Sequence, residues 1–399
     1  MKLSSNGLLA QVSIAHLVSH LHIMAVPAML PLLPDAMQVS FVELGIAIGL
    51  FNIVSALVQA PLGFMVDRLG ARKMLMAALL LGATSFGLVA VFPSYPCLLA
   101  TMILAGLANG VYHPADYSLL SRGIPSSKMG RAFSIHTFAG FLGGALAPPI
   151  MIGVALAMAP RWSFAIAALA GLLAWALMVI IGSPLSDRAM GASIPEPRKT
   201  ETRPATTPVI TLVILTLLFT LLSLSTGAIE KFSVSALVQG FDVALPAANV
   251  ALTVFLFASA FGVLAGGVLA DRTDKHGYVA AAAFGLAAFI VVLVIRVPLP
   301  PVALAIALGA TGFLTGMVAP SRDMLVRAAS PAGAEGRTFG IVSTGFNVGG
   351  VIGPILFGFL LDHELASGVL WAAVGFMGAT TAVVLLQERH MRMKPAPAG

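Results

Sequence analysis

Ionisable side chains interrupt several long apolar runs of this sequence, and they recur at helical spacing. In one run Asn109, His113 and Asp116 lie three or four positions apart, which places them on one face of a helix. His16 and His20 lie one turn apart in an earlier run. A carboxylic acid beside imidazoles can accept and release protons, and two imidazoles one turn apart can also bind zinc. The spacing therefore indicates either proton transfer or metal binding.

Two later apolar runs carry similar polar residues. Thr226 and Glu230 lie four residues apart in one of them, and Lys231 directly follows the acid. Thr315 and Arg322 lie two turns apart in the other. Arginine stays protonated in proteins, so Arg322 can hold an anionic group but cannot carry protons through a cycle.

The elements that position these side chains are predicted to be membrane-spanning helices. Of 399 residues, 58% are hydrophobic and only 10% are charged, whereas soluble domains carry about 25% charged residues. A helix needs roughly 20 apolar residues to cross a bilayer. An ionisable residue inside such a helix is costly, so it usually faces a partner or a water-filled cavity. We predict spans at about 8–31, 41–63, 74–92, 98–121, 132–158, 162–182, 209–235, 245–269, 278–296, 301–326, 337–361 and 367–386.

The distribution of basic residues predicts the orientation of these spans. Most of the 22 Lys and Arg residues fall in alternate loops, which places both termini in the cytoplasm by the positive-inside rule. The net charge of +6 therefore reflects membrane topology, and no nucleic-acid partner is expected. The first run is long, contains histidines and lacks a small-residue cleavage site, so we expect it to remain as helix 1. The single cysteine, Cys97, has no partner for an internal disulfide.

The two halves of the sequence resemble each other. We predict an all-α membrane fold of twelve helices in two pseudo-symmetric six-helix bundles, residues 1–183 and 209–399. Residues 184–208, rich in Pro, Ser and Thr, are predicted to form a flexible cytoplasmic linker. Duplicated halves that rock about a central site are typical of transporters. A shift of 206 positions aligns Gly106 with Gly312, Gly110 with Gly316 and Pro114 with Pro320.

A glycine, Asp-Arg, glycine and basic-pair motif, GFMVDRLGARK, occupies residues 63–73, and a weaker copy, GVLADRTDKHG, occupies residues 267–277. With this motif the sequence resembles the major facilitator superfamily of transporters over essentially its whole length. The stretches AHLVSHLHIMAVPAMLPLLP and YHPADYSLLSR also resemble the fosmidomycin-resistance branch of that superfamily, whose members export drugs. An acid that usually follows the helix 1 histidine in that branch is replaced here by His20 and its surroundings.

The resemblance implies that helices 1, 4, 7 and 10 line a central cavity, so the polar residues on those helices would surround the substrate path. Asp116 is predicted to be the main proton carrier, with His113 and Glu230 as secondary carriers. The predicted substrate-binding residues are His16, His20, Asn109, His113, Asp116, Thr226, Glu230, Lys231, Thr315 and Arg322.

Several of these residues also have purely structural interpretations. His113 can simply hydrogen bond a neighbouring helix, and so can His22, which lies off the helix 1 polar face. Lys231 can extend to the outer headgroups, with Glu230 neutralising it. Asp116 and Arg322 can form a buried ion pair that fixes the two halves.

The motif at residues 63–73 has a physical rationale as a conformational latch. Gly63 and Gly70 permit close backbone approach and a tight turn. Asp67 can meet a helix N-terminus or an arginine of the opposing bundle. The predicted gating residues are Gly63, Asp67, Arg68, Gly70, Arg72, Lys73, Asp271 and Arg272.

Glycines and prolines concentrate in helices 5 and 11, where small residues let helices pack closely. Helix 5, with Gly140, Gly143 and Gly144, partly resembles the antiporter motif of the superfamily. A Gly pair expected after Pro149 is missing, and this leaves the direction of transport open.

Three functions are compatible with these residues. The first is a proton-coupled secondary transporter that exports a small organic molecule across a bacterial inner membrane by alternating access. No GxxxxGK[ST] loop occurs, so ATP is not the expected energy source. The second is a proton-coupled symporter that imports a small organic anion, which Arg322, Lys231 and the histidines favour.

The third function is a membrane-embedded metalloenzyme in which His16 and His20, with His113 and Asp116, bind the metal. No HExxH signature accompanies these residues, and an enzyme would leave the repeat unexplained. We therefore expect no enzyme activity, no cofactor and no metal. The expected partners are a small-molecule substrate, protons and the lipid bilayer, with the chain acting as a monomer.

Overall fold

A computed structural model describes residues 5–125, 128–181, 208–270, 272–273, 275–330, 338 and 341–393. Twelve helices in this part of the chain are long and apolar enough to cross a membrane, which confirms the predicted all-α membrane fold. The predicted linker at 184–208 lies outside the described residues, apart from Pro208.

The twelve long helices are labelled α1 to α12, and a short helix, Leu33–Met37, joins the first two. Their bounds are α1 Ser5–Met29, α2 Phe41–Leu69, α3 Ala71–Val91, α4 Tyr95–Gly123, α5 Met129–Ala157, α6 Pro160–Ile181, α7 Val209–Phe241, α8 Leu245–Ala270, α9 His276–Arg296, α10 Pro301–Ala329, α11 Thr344–Asp362 and α12 Ala366–Met393.

Helix α2 is longer than the apolar run predicts. It continues past Gly63 to Leu69, so Asp67 lies on its last turns rather than in a loop. Gly70 alone separates α2 from α3, and its φ of 97° is a conformation that side chains with a Cβ adopt only with strain. The predicted tight turn is therefore confirmed at Gly70.

The chain divides into two compact units by its internal contacts. One unit consists of Met1–Val39 and Leu50–Arg203, and the other of Ser40–Gly49 and Pro204–Gly399. The first residues of α2 therefore group with the second unit, a feature that the predicted bundle boundaries at 183 and 209 do not include. Those boundaries stay a prediction.

Helix α2 begins at a strongly capped N-terminus within the second unit. Ser40 and Glu43 form a capping box, in which the Glu43 carboxylate accepts from the Ser40 N–H at 2.8 Å and the Ser40 hydroxyl accepts from the Glu43 N–H at 3.1 Å. Asp362, the last residue of α11, accepts hydrogen bonds from the backbone N–H groups of Phe41 and Val42 at 2.7 and 2.8 Å. A carboxylate at this position also favours the positive end of the helix dipole.

The internal repeat appears as matching backbone contacts inside each unit. In the first unit, a Cβ added at Gly106 of α4 would lie 2.7 Å from the carbonyl oxygen of Phe51 on α2. In the second unit, a Cβ added at Gly312 of α10 would collide with the carbonyl group of Phe255 on α8. Phe255 lies 204 positions after Phe51, so the glycines that the sequence aligned make equivalent contacts.

Candidate transport site

The carboxylate of Asp116 on α4 lies in a buried cluster of imidazole rings in the first unit. Its Oδ2 atom is 3.4 Å from Nδ1 of His16 on α1 and 3.7 Å from Nε2 of His136 on α5. The side chain of Asp116 is completely buried, and neither carboxylate oxygen has a hydrogen-bond partner among the described residues. A buried polar group in this state is costly, so the cluster is not explained by packing alone.

The rings of His20 and His113 extend the cluster. The ring centroid of His16 lies 4.6 Å from that of His20 and 5.3 Å from that of His113. The centroids of His16 and His136 are closer still, at 3.9 Å. The structure thus brings together four of the predicted site residues, His16, His20, His113 and Asp116.

Gly140 on α5 leaves the space that the imidazoles occupy. A Cβ added there would lie 3.0 Å from Nε2 of His20 and would collide with Nε2 of His16. One turn earlier on the same helix lies His136, which is 1% exposed. The small residues of α5 therefore let α1 approach, and this approach brings the two helices' histidines into contact.

His136 was missing from the residues predicted from the sequence. A signal for it existed, because it is an ionisable residue within a predicted span and is spaced i, i+4 and i+7 with Gly140 and Gly143. Since those glycines were identified as a packing surface, a histidine on the same stripe also had to face a neighbouring helix.

Two other polar residues of this unit form hydrogen bonds outside the histidine cluster. The amide of Asn109 donates a hydrogen bond of 2.8 Å to the hydroxyl of Ser55 on α2. Nε2 of His22 donates to the carbonyl oxygen of Ala167 on α6 at 2.9 Å, which confirms the structural interpretation of that residue.

In the second unit, Arg322 on α10 lies between two phenyl rings. Its Cζ atom is 5.0 Å from the ring centroids of both Phe219 on α7 and Phe346 on α11. Its Nε donates a hydrogen bond of 2.8 Å to Asp323, the next residue along the chain. The guanidinium is thus held by two cation–π contacts and one carboxylate, and it keeps 19% of its side-chain surface exposed.

The remaining predicted residues of the second unit differ in their contacts. The hydroxyls of Thr226 and Thr315 donate to carbonyl oxygens of their own helices, Leu222 and Gly312, each at 2.9 Å. Glu230 is half-buried on α7. Lys231 is also half-buried and lines a narrow cavity together with Ser223, Gly227, Phe232, Gly349, Gly350, Gly353, Pro354 and Phe357.

The residues of the GFMVDRLGARK motif form contacts within the first unit. Asp67 Oδ1 lies 3.6 Å from the guanidinium of Arg122 at the end of α4. Its predicted partner was in the opposing bundle, and the partner that the structure provides is in its own unit. Gly63 lies against Pro114 of α4, where an added Cβ would be 3.9 Å from the ring.

The basic residues of the motif differ in their contacts. Arg72 donates a hydrogen bond of 3.2 Å to the side chain of Gln11 on α1, and another to the carbonyl oxygen of Met178 near the end of α6. Arg68, Lys73 and, in the weaker copy, Arg272 are exposed. Asp271 lies outside the described residues.

A duplicated twelve-helix membrane fold with ionisable residues buried inside its units is typical of a secondary transporter. The Major Facilitator Superfamily model matches residues 12–235 and 215–399. The chain therefore belongs to this superfamily.

Individual relatives agree with this assignment. The chain is 26% identical to the fosmidomycin resistance protein of Escherichia coli strain K12, over 97% of this chain and 94% of that protein. It is 26% identical to a chloramphenicol resistance protein of Streptomyces lividans, over 89% of this chain and 91% of the relative. A bacterial homologue of the human lysosomal transporter Spinster, solved in an inward-facing and unoccupied conformation, has the same fold, with a TM-score of 0.77 at 15% identity over all of both chains.

The protein is thus a multi-pass membrane transporter of small molecules. The predicted family is confirmed, and the similarity to the fosmidomycin resistance protein agrees with the predicted resemblance to that branch. Because this superfamily is not a family of enzymes, the expectation that the chain is not an enzyme is confirmed and the metalloenzyme hypothesis is wrong.

Proposed function

We propose that the protein exports a small organic molecule in exchange for protons, and that Asp116 carries the proton. The observation that supports this proposal is the complete burial of the Asp116 carboxylate 3.4 Å from His16. Export is further supported by two relatives of almost the same length whose names describe drug resistance.

The surroundings of Asp116 give a physical reason for proton exchange. An ionised carboxylate without hydrogen bonds is costly to bury, and the cost falls when it is protonated or when an adjacent imidazole is protonated. The proton can therefore reside on Asp116 or on His16, and water access would change which arrangement is favoured. His113 and Glu230 are secondary carriers in this proposal.

The other predicted substrate-binding residues are proposed to contact the transported molecule. Arg322 is well suited to an anionic or aromatic group, because its guanidinium is already oriented by Phe219 and Phe346 and remains partly exposed. His20, Asn109, Thr226, Lys231 and Thr315 complete the proposed set.

The transporter is proposed to act as a monomer in a bacterial inner membrane with both termini in the cytoplasm. The positive-inside distribution of Lys and Arg supports this orientation. The motif at residues 63–73, together with Asp271 and Arg272, is proposed to latch one conformation of the transport cycle.

A second candidate function is proton-coupled import of a small organic anion. The observation that favours it is the presence of two basic side chains, Arg322 and Lys231, the second of which lines a cavity of the second unit.

Proteoliposomes that contain the purified protein and an internal pH-sensitive dye separate the two functions. Fosmidomycin, chloramphenicol and a panel of organic anions serve as test compounds. Export by exchange predicts that compound and proton move in opposite directions, whereas anion import predicts that they move together. Transport of a compound without any proton movement and without response to a pH gradient would refute proton coupling.

A further inference from the structure

We infer that His16, His136 and Asp116 form a binding site for a divalent transition-metal ion. Metal binding by the protein without substrate does not depend on the proposed direction or substrate of transport. The sequence suggested a metal only as part of an enzyme, with His16, His20, His113 and Asp116 as ligands, and none was expected because no HExxH signature accompanies them.

The three ligand atoms have the spacing that one ion requires. Nδ1 of His16, Nε2 of His136 and Oδ2 of Asp116 all lie within 4.8 Å of one another. Zinc binds imidazole nitrogens and carboxylate oxygens at about 2.0–2.2 Å, so neighbouring ligands of a tetrahedral ion lie about 3.3–3.5 Å apart. The observed separations from Oδ2 are 3.4 Å to His16 and 3.7 Å to His136. Small side-chain movements would therefore close the site.

The burial of these atoms supports a ligand rather than a chance arrangement. Relative exposure is 0% for Asp116, 1% for His136 and 5% for His16. Each of the three ligand atoms is buried without a hydrogen-bond partner among the described residues. One cation would satisfy all three atoms, and it would bind both imidazoles in their neutral form.

The donor set selects the class of ion. Two imidazoles and one carboxylate favour zinc, cobalt, nickel or copper over calcium and magnesium, which prefer oxygen ligands. The ligands come from three helices, α1, α4 and α5, so a bound ion would tie these helices together. Three protein ligands also leave a coordination position open for water or another group.

Other polar rings lie beside the three ligand residues, near the coordination position that they leave open. The rings of His20 and His113 lie 4.6 and 5.3 Å from that of His16, and both are only partly buried. The ring of Tyr117, which is 45% exposed, lies 6.0 Å from those of both His113 and His136. These polar rings mark a route from the surface of the unit to the buried ligands.

The test is a metal titration of the full-length protein in detergent, with any affinity tag removed and bound metal stripped by a chelator. Cobalt(II) serves as the probe because its visible absorption reports coordination number, and zinc is added as a competitor. We expect one cobalt ion per chain with the intense bands of a four- or five-coordinate site, displaced stoichiometrically by zinc.

Variants locate the site. His16→Ala, His136→Ala and Asp116→Asn should each weaken cobalt binding by about tenfold or more, since even outer-shell changes reach this size. His22→Gln is the matched control, because His22 is a buried histidine of the same helix that bonds to Ala167 instead. This control should bind cobalt as the wild type does.

Several results would overturn the inference. These are an absence of stoichiometric binding by the wild type, a six-coordinate cobalt spectrum, wild-type affinity in His136→Ala and Asp116→Asn, or an equal loss in His22→Gln. If a variant does not fold, the wild type still decides the question, because a specific ion must raise its unfolding temperature. An unchanged unfolding temperature at saturating zinc would count against the site. If the wild type binds cobalt stoichiometrically but shows no proton coupling in proteoliposomes, only the proposed function is overturned.

Discussion

Oδ2 of Asp116 lies 3.4 Å from Nδ1 of His16, and the carboxylate is completely shielded from solvent. The two residues belong to α4 and α1, so neither local sequence nor a single helix creates the pair. An acid and an imidazole at this distance can exchange a proton. Oδ2 of Asp116 and Nδ1 of His16 are free to do so, because neither atom has a hydrogen-bond partner among the described residues.

Asp116→Asn should retain substrate binding and exchange while losing transport driven by a pH gradient. Asparagine has a similar shape but cannot take up a proton, so only the coupling step should be lost. The measurement is substrate counterflow beside gradient-driven transport in the same proteoliposomes, with Glu230→Gln as a comparison. Wild-type gradient-driven transport in Asp116→Asn would move the carrier to Glu230 or to the α1 histidines.

Arg322→Lys should reduce transport severely, because lysine keeps the charge but loses the planar group that stacks between Phe219 and Phe346. Lysine keeps a charge for cation–π contact but loses the planar stacking, so stability should also fall by about 0.5–1 kcal/mol. Arg296→Lys is a matched control, since Arg296 stacks on Trp371 at 5.2 Å at the end of α9. Transport rates and thermal unfolding of both variants separate the two effects, and equal transport by both would exclude a substrate contact at Arg322.

Asp67→Asn should lower turnover while leaving substrate affinity largely unchanged, because it removes a charge from the proposed latch. The Asp67–Arg122 pair is well exposed, and such pairs contribute only about 0–1 kcal/mol, so stability should change little. Asp271→Asn should have a smaller effect because its surrounding motif is degraded.

Arg122→Gln identifies the partner of Asp67. If it reproduces the loss of turnover, the pair within the first unit is the working contact, and if it does not, the predicted partner in the opposing bundle is favoured. Normal turnover in Asp67→Asn and Asp271→Asn would show that the gating assignment is wrong.

Gly312→Ala should destabilise the protein by about 1–3 kcal/mol, because the added methyl group meets the backbone of Phe255. Gly285→Ala on α9 is the control. An added Cβ there has nothing within 4 Å, so that change should be neutral or slightly stabilising. Thermal unfolding in detergent compares the two variants. Equal unfolding temperatures would contradict the close α8–α10 contact.

Cys97 should react with an impermeant maleimide on intact spheroplasts. It lies at the start of α4, on the side that the charge distribution places outside, and it is partly exposed. Labelling of the denatured protein serves as the control for a masked thiol. Reaction only after membrane disruption would reverse the assigned orientation.

The sequence by itself determined the class of fold. A bilayer provides no hydrogen bonds for the backbone, so each apolar run of sufficient length must be helical, and run length is a local property. The alignment of Gly106 with Gly312 indicated the repeat, and the matching contacts with Phe51 and Phe255 agree with it. Gly70 was likewise recognisable as a turn, because its flexibility is a property of the residue itself.

Only the tertiary structure decided which polar residues meet. His136 joins Asp116 because Gly140 lets α1 approach α5, while Asn109, predicted on the same stripe as Asp116, bonds to Ser55 on α2. Arg322 likewise lies between phenyl rings of two helices distant in sequence. Helical spacing fixes the relative angles of residues on one helix. The rotation of that helix about its axis depends on how closely the neighbouring helices pack. This packing is a property of the whole unit, so the sequence of one helix does not determine it.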